Sequence, residues 1–229
     1  MNTQAVINKW KELFKDKNLR IKMIITLILF VITMMFFKKF VLYVEARDGV
    51  FLQDPLMKFF NAIDFNIPIF IIIYGSIITS FVMLLKYPKY FMIAIQTYML
   101  MIIFRTIGMY ITPLDVPRGV INLQDPVVFM LGTGQPITKD LFFSGHTATM
   151  SILFLTAKNK MLKRILFAGT ILIVIMIFLQ KAHYTLDILA APFVAVGSYR
   201  MIMYMNHRLF QNDEIDKKVR LNTDFLDFH

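Results

Sequence analysis

The chain has 229 residues, 57% of them hydrophobic and only 17% charged, with a mean hydropathy of +0.61; this lies outside the soluble globular range and reads as a single-domain integral membrane protein. With no cysteine, disulfides, thiolate metal sites and a Cys nucleophile are excluded, which leaves covalent chemistry to Ser, His, Asp, Lys or Tyr. A formal charge of +10 would suggest nucleic acid in a soluble protein, but here its placement marks topology, and no nucleic-acid partner is expected.

In chain order, Val6, Ile7, Trp10, Leu13 and Phe14 recur at helical spacing opposite Lys9, Lys11, Lys15 and Lys17. That is the pattern of an amphipathic helix lying on anionic headgroups. Apolar runs then predict six spans near residues 21–37, 67–85, 90–104, 141–157, 165–179 and 186–205, the shorter ones extending into flanking residues to reach the roughly 20 residues a crossing needs. The first run lacks the small-residue cleavage pattern of a signal peptide and is read as a retained span. The expected class is an all-α polytopic membrane bundle. It divides into an amphipathic cytoplasmic arm (1–20), a six-span catalytic domain (21–206) and a cytoplasmic tail (207–229). The 23 Phe and 17 Met are read as lipid-facing and packing surface rather than a cofactor box.

With the N-terminus inside, the inner segments hold 17 of the 25 Lys and Arg and the outer segments the other eight. The positive-inside rule therefore puts both termini in the cytoplasm. Of the four histidines, His207 and His229 fall in the tail and read as solvated. His146 and His183 open the fourth and sixth spans with one complete span between them, so they share the outer face.

Asp187 follows His183 by four residues, which sets both side chains on one helical face and lets the carboxylate fix the ring's tautomer. The other ring nitrogen is then free to attack phosphorus. His-x-x-x-Asp alone is a weak signal, but ionisable groups at membrane depth are costly and point to function. Ser144 can cap the helix that carries His146, Gly145 lets a ligand approach the backbone, and the helix N-terminus favours a phosphate. The plainer reading of that segment is a capped helix start.

Ser144-Gly145-His146-Thr147 and His183-Tyr184-Thr185-Leu186-Asp187 resemble the third and fourth signature motifs of the sphingomyelin synthase family, part of the phosphatidic acid phosphatase type 2 superfamily. Asp140-Leu141-Phe142-Phe143 fits the lead-in to the third. The run from Arg105 through Tyr110 to Thr112 is similar to the second, although Pro113 and Asp115 interrupt it. The resemblance covers roughly residues 54–207. It implies six spans, an outward-facing site and a catalytic triad of His146, His183 and Asp187, with Arg105, Tyr110, Asp140, Ser144, Gly145 and Tyr184 toward the substrate.

Superfamily phosphatases carry an Arg six residues before the nucleophilic histidine, where Ile177 stands here. A phosphomonoester brings nearly two negative charges and a phosphodiester one, so fewer fixed cations suffice for a diester. The expectation is transfer of a phospho-headgroup from a glycerophospholipid to a lipid alcohol such as ceramide. His183 attacks, Asp187 orients it, and His146 serves as acid and then base, with no metal or other cofactor. Diacylglycerol is the by-product, and the setting is a bacterial cytoplasmic membrane. A lipid phosphatase or phospholipase C-like hydrolase using the same triad stays open, as does, more distantly, a transporter whose polar groups bind without bond breaking.

Overall fold

The computed structural model describes residues 3–123, 125, 134 and 137–210. Seven α-helices run in order: α1 (Thr3–Lys15), α2 (Lys17–Ala46), α3 (Asn66–Leu84), α4 (Pro88–Ile111), α5 (Gly145–Thr156), α6 (Lys160–Leu179) and α7 (Thr185–Met205), with short 3-10 turns at Leu56–Phe59 and His207–Phe210. Among the described residues there is no strand, only one isolated bridge between Val50 and Leu114. Five helices, α2, α3, α4, α6 and α7, are long and apolar enough to cross a membrane. The chain is a polytopic helical membrane protein.

The fourth expected span is the exception. Helix α5 has 12 residues, about 18 Å at 1.5 Å per residue, against roughly 30 Å of hydrocarbon. Residues 141–143 are apolar enough to have been counted into the helix, yet they lie ahead of it as an irregular lead-in, with Leu141 and Phe143 each 2% exposed. Ser144 is the reason: its backbone is extended and its Oγ accepts from Thr147 N at 3.4 Å, which starts the helix one residue later. So short a helix is viable because α3, α4, α6 and α7 all pack around it.

The break between α1 and α2 is sharp because Asp16 caps the second helix, its carboxylate accepting from Asn18 N at 2.8 Å and Leu19 N at 3.2 Å. Helix α2 runs 30 residues, well past the expected end at residue 37. It packs on α4 and α1 and turns Ile28, Val31, Ile32, Met35 and Phe36 outward, as a lipid-facing helix does. Trp10 ties the arm to the bundle by donating its indole N–H to Leu85 O at 2.7 Å.

The two largest of the buried apolar clusters lie between the helices. One joins Ile69 and Ile73 of α3 to Met150, Leu166, Ile173, Ile177 and Ile188. The other sets Met101 and Ile102 of α4 against Phe143, Ala148, Ala191 and Ala195. The alanines matter because small residues let helices in a bilayer approach closely. Gln180, fully buried, fastens the loops at the histidine end: its Oε1 accepts from Phe65 N at 2.9 Å, and its Nε2 donates to Ile121 O at 3.0 Å and Asn66 Oδ1 at 3.2 Å.

Candidate active site

The first turn of α7 is built from three separate segments. Asp54, in the loop after α2, accepts from Thr185 N at 2.8 Å and so caps a helix more than a hundred residues away. Burial raises the Asp54 carboxyl pKa, but hydrogen bonds from Thr185, Leu56 and Met57 outweigh it and hold the group below the usual range. Tyr184, 2% exposed, donates its hydroxyl to Asp115 O at 2.8 Å and accepts from Leu52 N at 3.2 Å. The expected substrate-side Tyr184 therefore spends its hydroxyl on the loops.

Held in this way, His183 reaches back to Asp187, with Nδ1 to Oδ2 at 3.5 Å and both side chains almost wholly buried. The separation is an ion-pair distance rather than a tight hydrogen bond, as happens in sites without substrate. Burial lowers the His183 pKa, the Asp187 carboxylate opposes this, and the Arg105 charge adds to the lowering. The neutral ring, a nucleophile, is thereby favoured.

Segment 139–146 closes the site from the other side. Ser144 N donates to Asp187 O at 3.1 Å, which docks the start of α5 on α7. Arg105, on α4 and 3% exposed, pairs with Asp140 through Nη2 at 2.9 Å and donates from Nη2 to the Asp140 carbonyl at 3.2 Å. Its Nη1 is buried without a hydrogen-bond partner among the described residues. A Cβ on Gly145 would lie 2.0 Å from that nitrogen. The glycine expected to admit a ligand thus admits the guanidinium, and the guanidinium in turn offers an unused donor beside the start of α5, where an anion is favoured.

The lead-in itself hangs on α2. Glu45 accepts from Thr138 N at 2.8 Å, Thr138 Oγ1 at 2.7 Å and Lys139 N at 2.9 Å. Lys139 Nζ donates to Arg47 O at 2.9 Å. Arg47 donates to the carbonyls of Met109 and Tyr110 at the end of α4, which suits a cation at a helix C-terminus. Tyr110, expected at the substrate, is 64% exposed, and among the described residues its carbonyl accepts from Arg47.

His146 has a carboxylate of its own. Its Nε2 lies 3.5 Å from Asp125 Oδ2, and Tyr74 donates its hydroxyl to Asp125 Oδ1. Asp125 is the residue that sequence reasoning missed as a partner. It sits in the long connection between α4 and α5, where no periodicity relates it to His146. Each histidine thus meets one carboxylate, and among the described residues no three His, Asp or Glu side chains converge to hold a metal ion. Of the remaining histidines, His207 lies near Tyr204 O at 2.9 Å, and His229 is outside the described residues.

Residues 139–206, from the lead-in of α5 to the end of α7, match the family model described as PAP2 superfamily C-terminal. The match contains Asp140, Ser144, Gly145, His146, His183, Tyr184 and Asp187. It supports a phosphatase or phosphotransferase acting on lipid-like substrates. A search of curated proteins finds no match to the chain.

Proposed function

We propose that the chain is a sphingomyelin synthase-like phosphotransferase, moving a phospho-headgroup from a glycerophospholipid to a lipid alcohol such as ceramide through a phosphohistidine. The observation that carries this reading is the pair of histidines, His146 in the first turn of α5 and His183 just ahead of α7, each beside its own carboxylate: His183 with Asp187 and His146 with Asp125. With the proton of His183 on Nδ1 toward Asp187, the Nε2 lone pair attacks phosphorus and the bond to the diacylglycerol oxygen breaks. Protonated His146 gives its proton to that leaving oxygen. In the second half, neutral His146 takes the proton of the ceramide hydroxyl, whose oxygen attacks the phosphohistidine and releases His183. Proton and phosphoryl group both balance over the cycle. Arg105 Nη1 faces a non-bridging phosphate oxygen, one cation suited to the single charge of a diester.

The membrane arrangement belongs to the same reading. Both termini are cytoplasmic and the site opens on the outer face of a bacterial cytoplasmic membrane, as the distribution of Lys and Arg supports. Headgroup-labelled glycerophospholipid incubated with purified protein and ceramide tests the transfer. Label should enter a phosphosphingolipid. If a panel of lipid alcohols takes none and water-soluble headgroup phosphate is the only labelled product, the enzyme is a hydrolase using the same residues.

A further inference from the structure

The shortness of α5 leaves space at the end of the bundle opposite the histidines. Its last turn stops at Thr156, and residues 157–159 descend before α6 begins at Lys160. Between α3, α5 and the start of α6 lies a cavity of about 400 Å³. Part of its wall is apolar, including Leu153 and Leu162, and part is cationic, from Lys86, Lys158 and Lys160. No Asp or Glu is among its lining residues.

Two further features mark it as a place for an anion. Ser80 lines the cavity, 2% exposed, and its Oγ has no hydrogen-bond partner among the described residues; a buried hydroxyl left in this way is costly and calls for a ligand. The first turn of the 20-residue helix α6 also opens here. Asn159 Oδ1 satisfies Leu162 N at 2.9 Å, while the N–H groups before it have no acceptor within the helix. Lys158 Nζ stands 3.2 Å above the Tyr90 ring, a contact that steadies an ammonium group at the cavity.

We propose that this cavity binds the phosphate of an anionic phospholipid, in the leaflet opposite the histidine site, with its acyl chains against the apolar wall. A lipid fits better than free phosphate because Met83, Leu84, Leu153, Ala157 and Leu162 give the same cavity an apolar wall. Sites of this kind, basic pockets between helices on the cytoplasmic side, suit anionic headgroups.

The test is native mass spectrometry of the delipidated full chain in detergent, titrated with phosphatidylglycerol or phosphatidylcholine, each with and without 10-fold excess inorganic phosphate. One saturable phosphatidylglycerol should bind at least about tenfold more tightly than phosphatidylcholine. Lys158→Gln with Lys160→Gln should weaken it about tenfold or more, and the double arginine variant should restore it. Ser80→Ala should cost about threefold. The same charge change on exposed positions of α2, Lys38→Gln with Lys39→Gln, should leave binding unchanged. Equal affinity for both lipids, an unaffected Lys158/Lys160 variant, or an equal loss from the α2 variant overturns the proposal. Full displacement by inorganic phosphate overturns the lipid source. Should the double Gln variant elute as aggregate, the Ser80→Ala and arginine variants decide alone.

Discussion

His183 is buried with one carboxylate for company, and its chemistry follows from that setting. His183→Ala should abolish both turnover and the labelled enzyme that forms when acceptor is withheld. Asp187→Asn keeps the shape but favours the wrong tautomer, and a fall in kcat of about 10³- to 10⁴-fold is expected if it behaves as orienting aspartates do; steady-state kinetics on the folded variant reads it. Because burial depresses the His183 pKa, the free base persists below the ordinary value of about 6.5. The acidic limb of kcat/KM assigned to His183 should therefore lie below that value. Folding stability moves the same way: below about 6.5 the unfolded chain takes a proton that the folded one refuses, so this contribution declines as pH falls from there to the folded pKa. Asp187→Asn removes a group that raises the pKa and should move the limb lower still, measured on the residual activity.

Among elements, α5 and α7 are set by contacts from far along the chain. The cap that Asp54 places on Thr185 N should be worth about 1 kcal/mol, so Asp54→Ala is expected to lower the unfolding midpoint modestly. Since its hydrogen bonds depress the Asp54 pKa, the wild-type advantage should be present above about pH 4 and vanish as pH falls through the folded pKa. A denaturation series at pH 7 and pH 3 checks both points. Gly145→Ala acts differently, since its Cβ would collide with Arg105 Nη1 and Cζ. The long guanidinium side chain can give way, at the expense of its place beside Asp140. Activity should fall by about tenfold or more, with a smaller effect on thermal stability, as for a misplaced phosphate-facing group.

Across the whole molecule, the proposed orientation predicts opposite labelling of the two ends. Asp48→Cys and Lys58→Cys lie on exposed positions of the loop that contacts Tyr184 and Thr185, and in intact cells they should react with a membrane-impermeant maleimide. Asn159→Cys, exposed at the other end, should react only after lysis. Lys181, though in a connecting segment at the histidine end, is a poor probe because it is only 9% exposed. The reverse pattern would overturn the orientation and the side assigned to the site.

The sequence by itself determined the helical membrane class, because a bilayer leaves the backbone no acceptors other than its own and so forces long apolar helices. It also put His183 four residues before Asp187, but not on the expected shared helical face: α7 begins at Thr185, so His183 meets Asp187 at 3.5 Å from the connection ahead of the helix. Tertiary structure alone decided the rest. The lead-in at Leu141 and Phe143 has the composition of a span; the Ser144 cap keeps it out of α5, and tertiary contacts bury it, Leu141 against Leu114 and Tyr184 and Phe143 against α4 and α7. Arg105 fills the space that Gly145 leaves, Tyr184 is tied to Asp115 O, and Asp125 reaches His146 from between α4 and α5. These contacts join residues without any fixed spacing. Periodicity reports which face of one element is apolar, whereas partners across loops are chosen by where the assembled helices bring them.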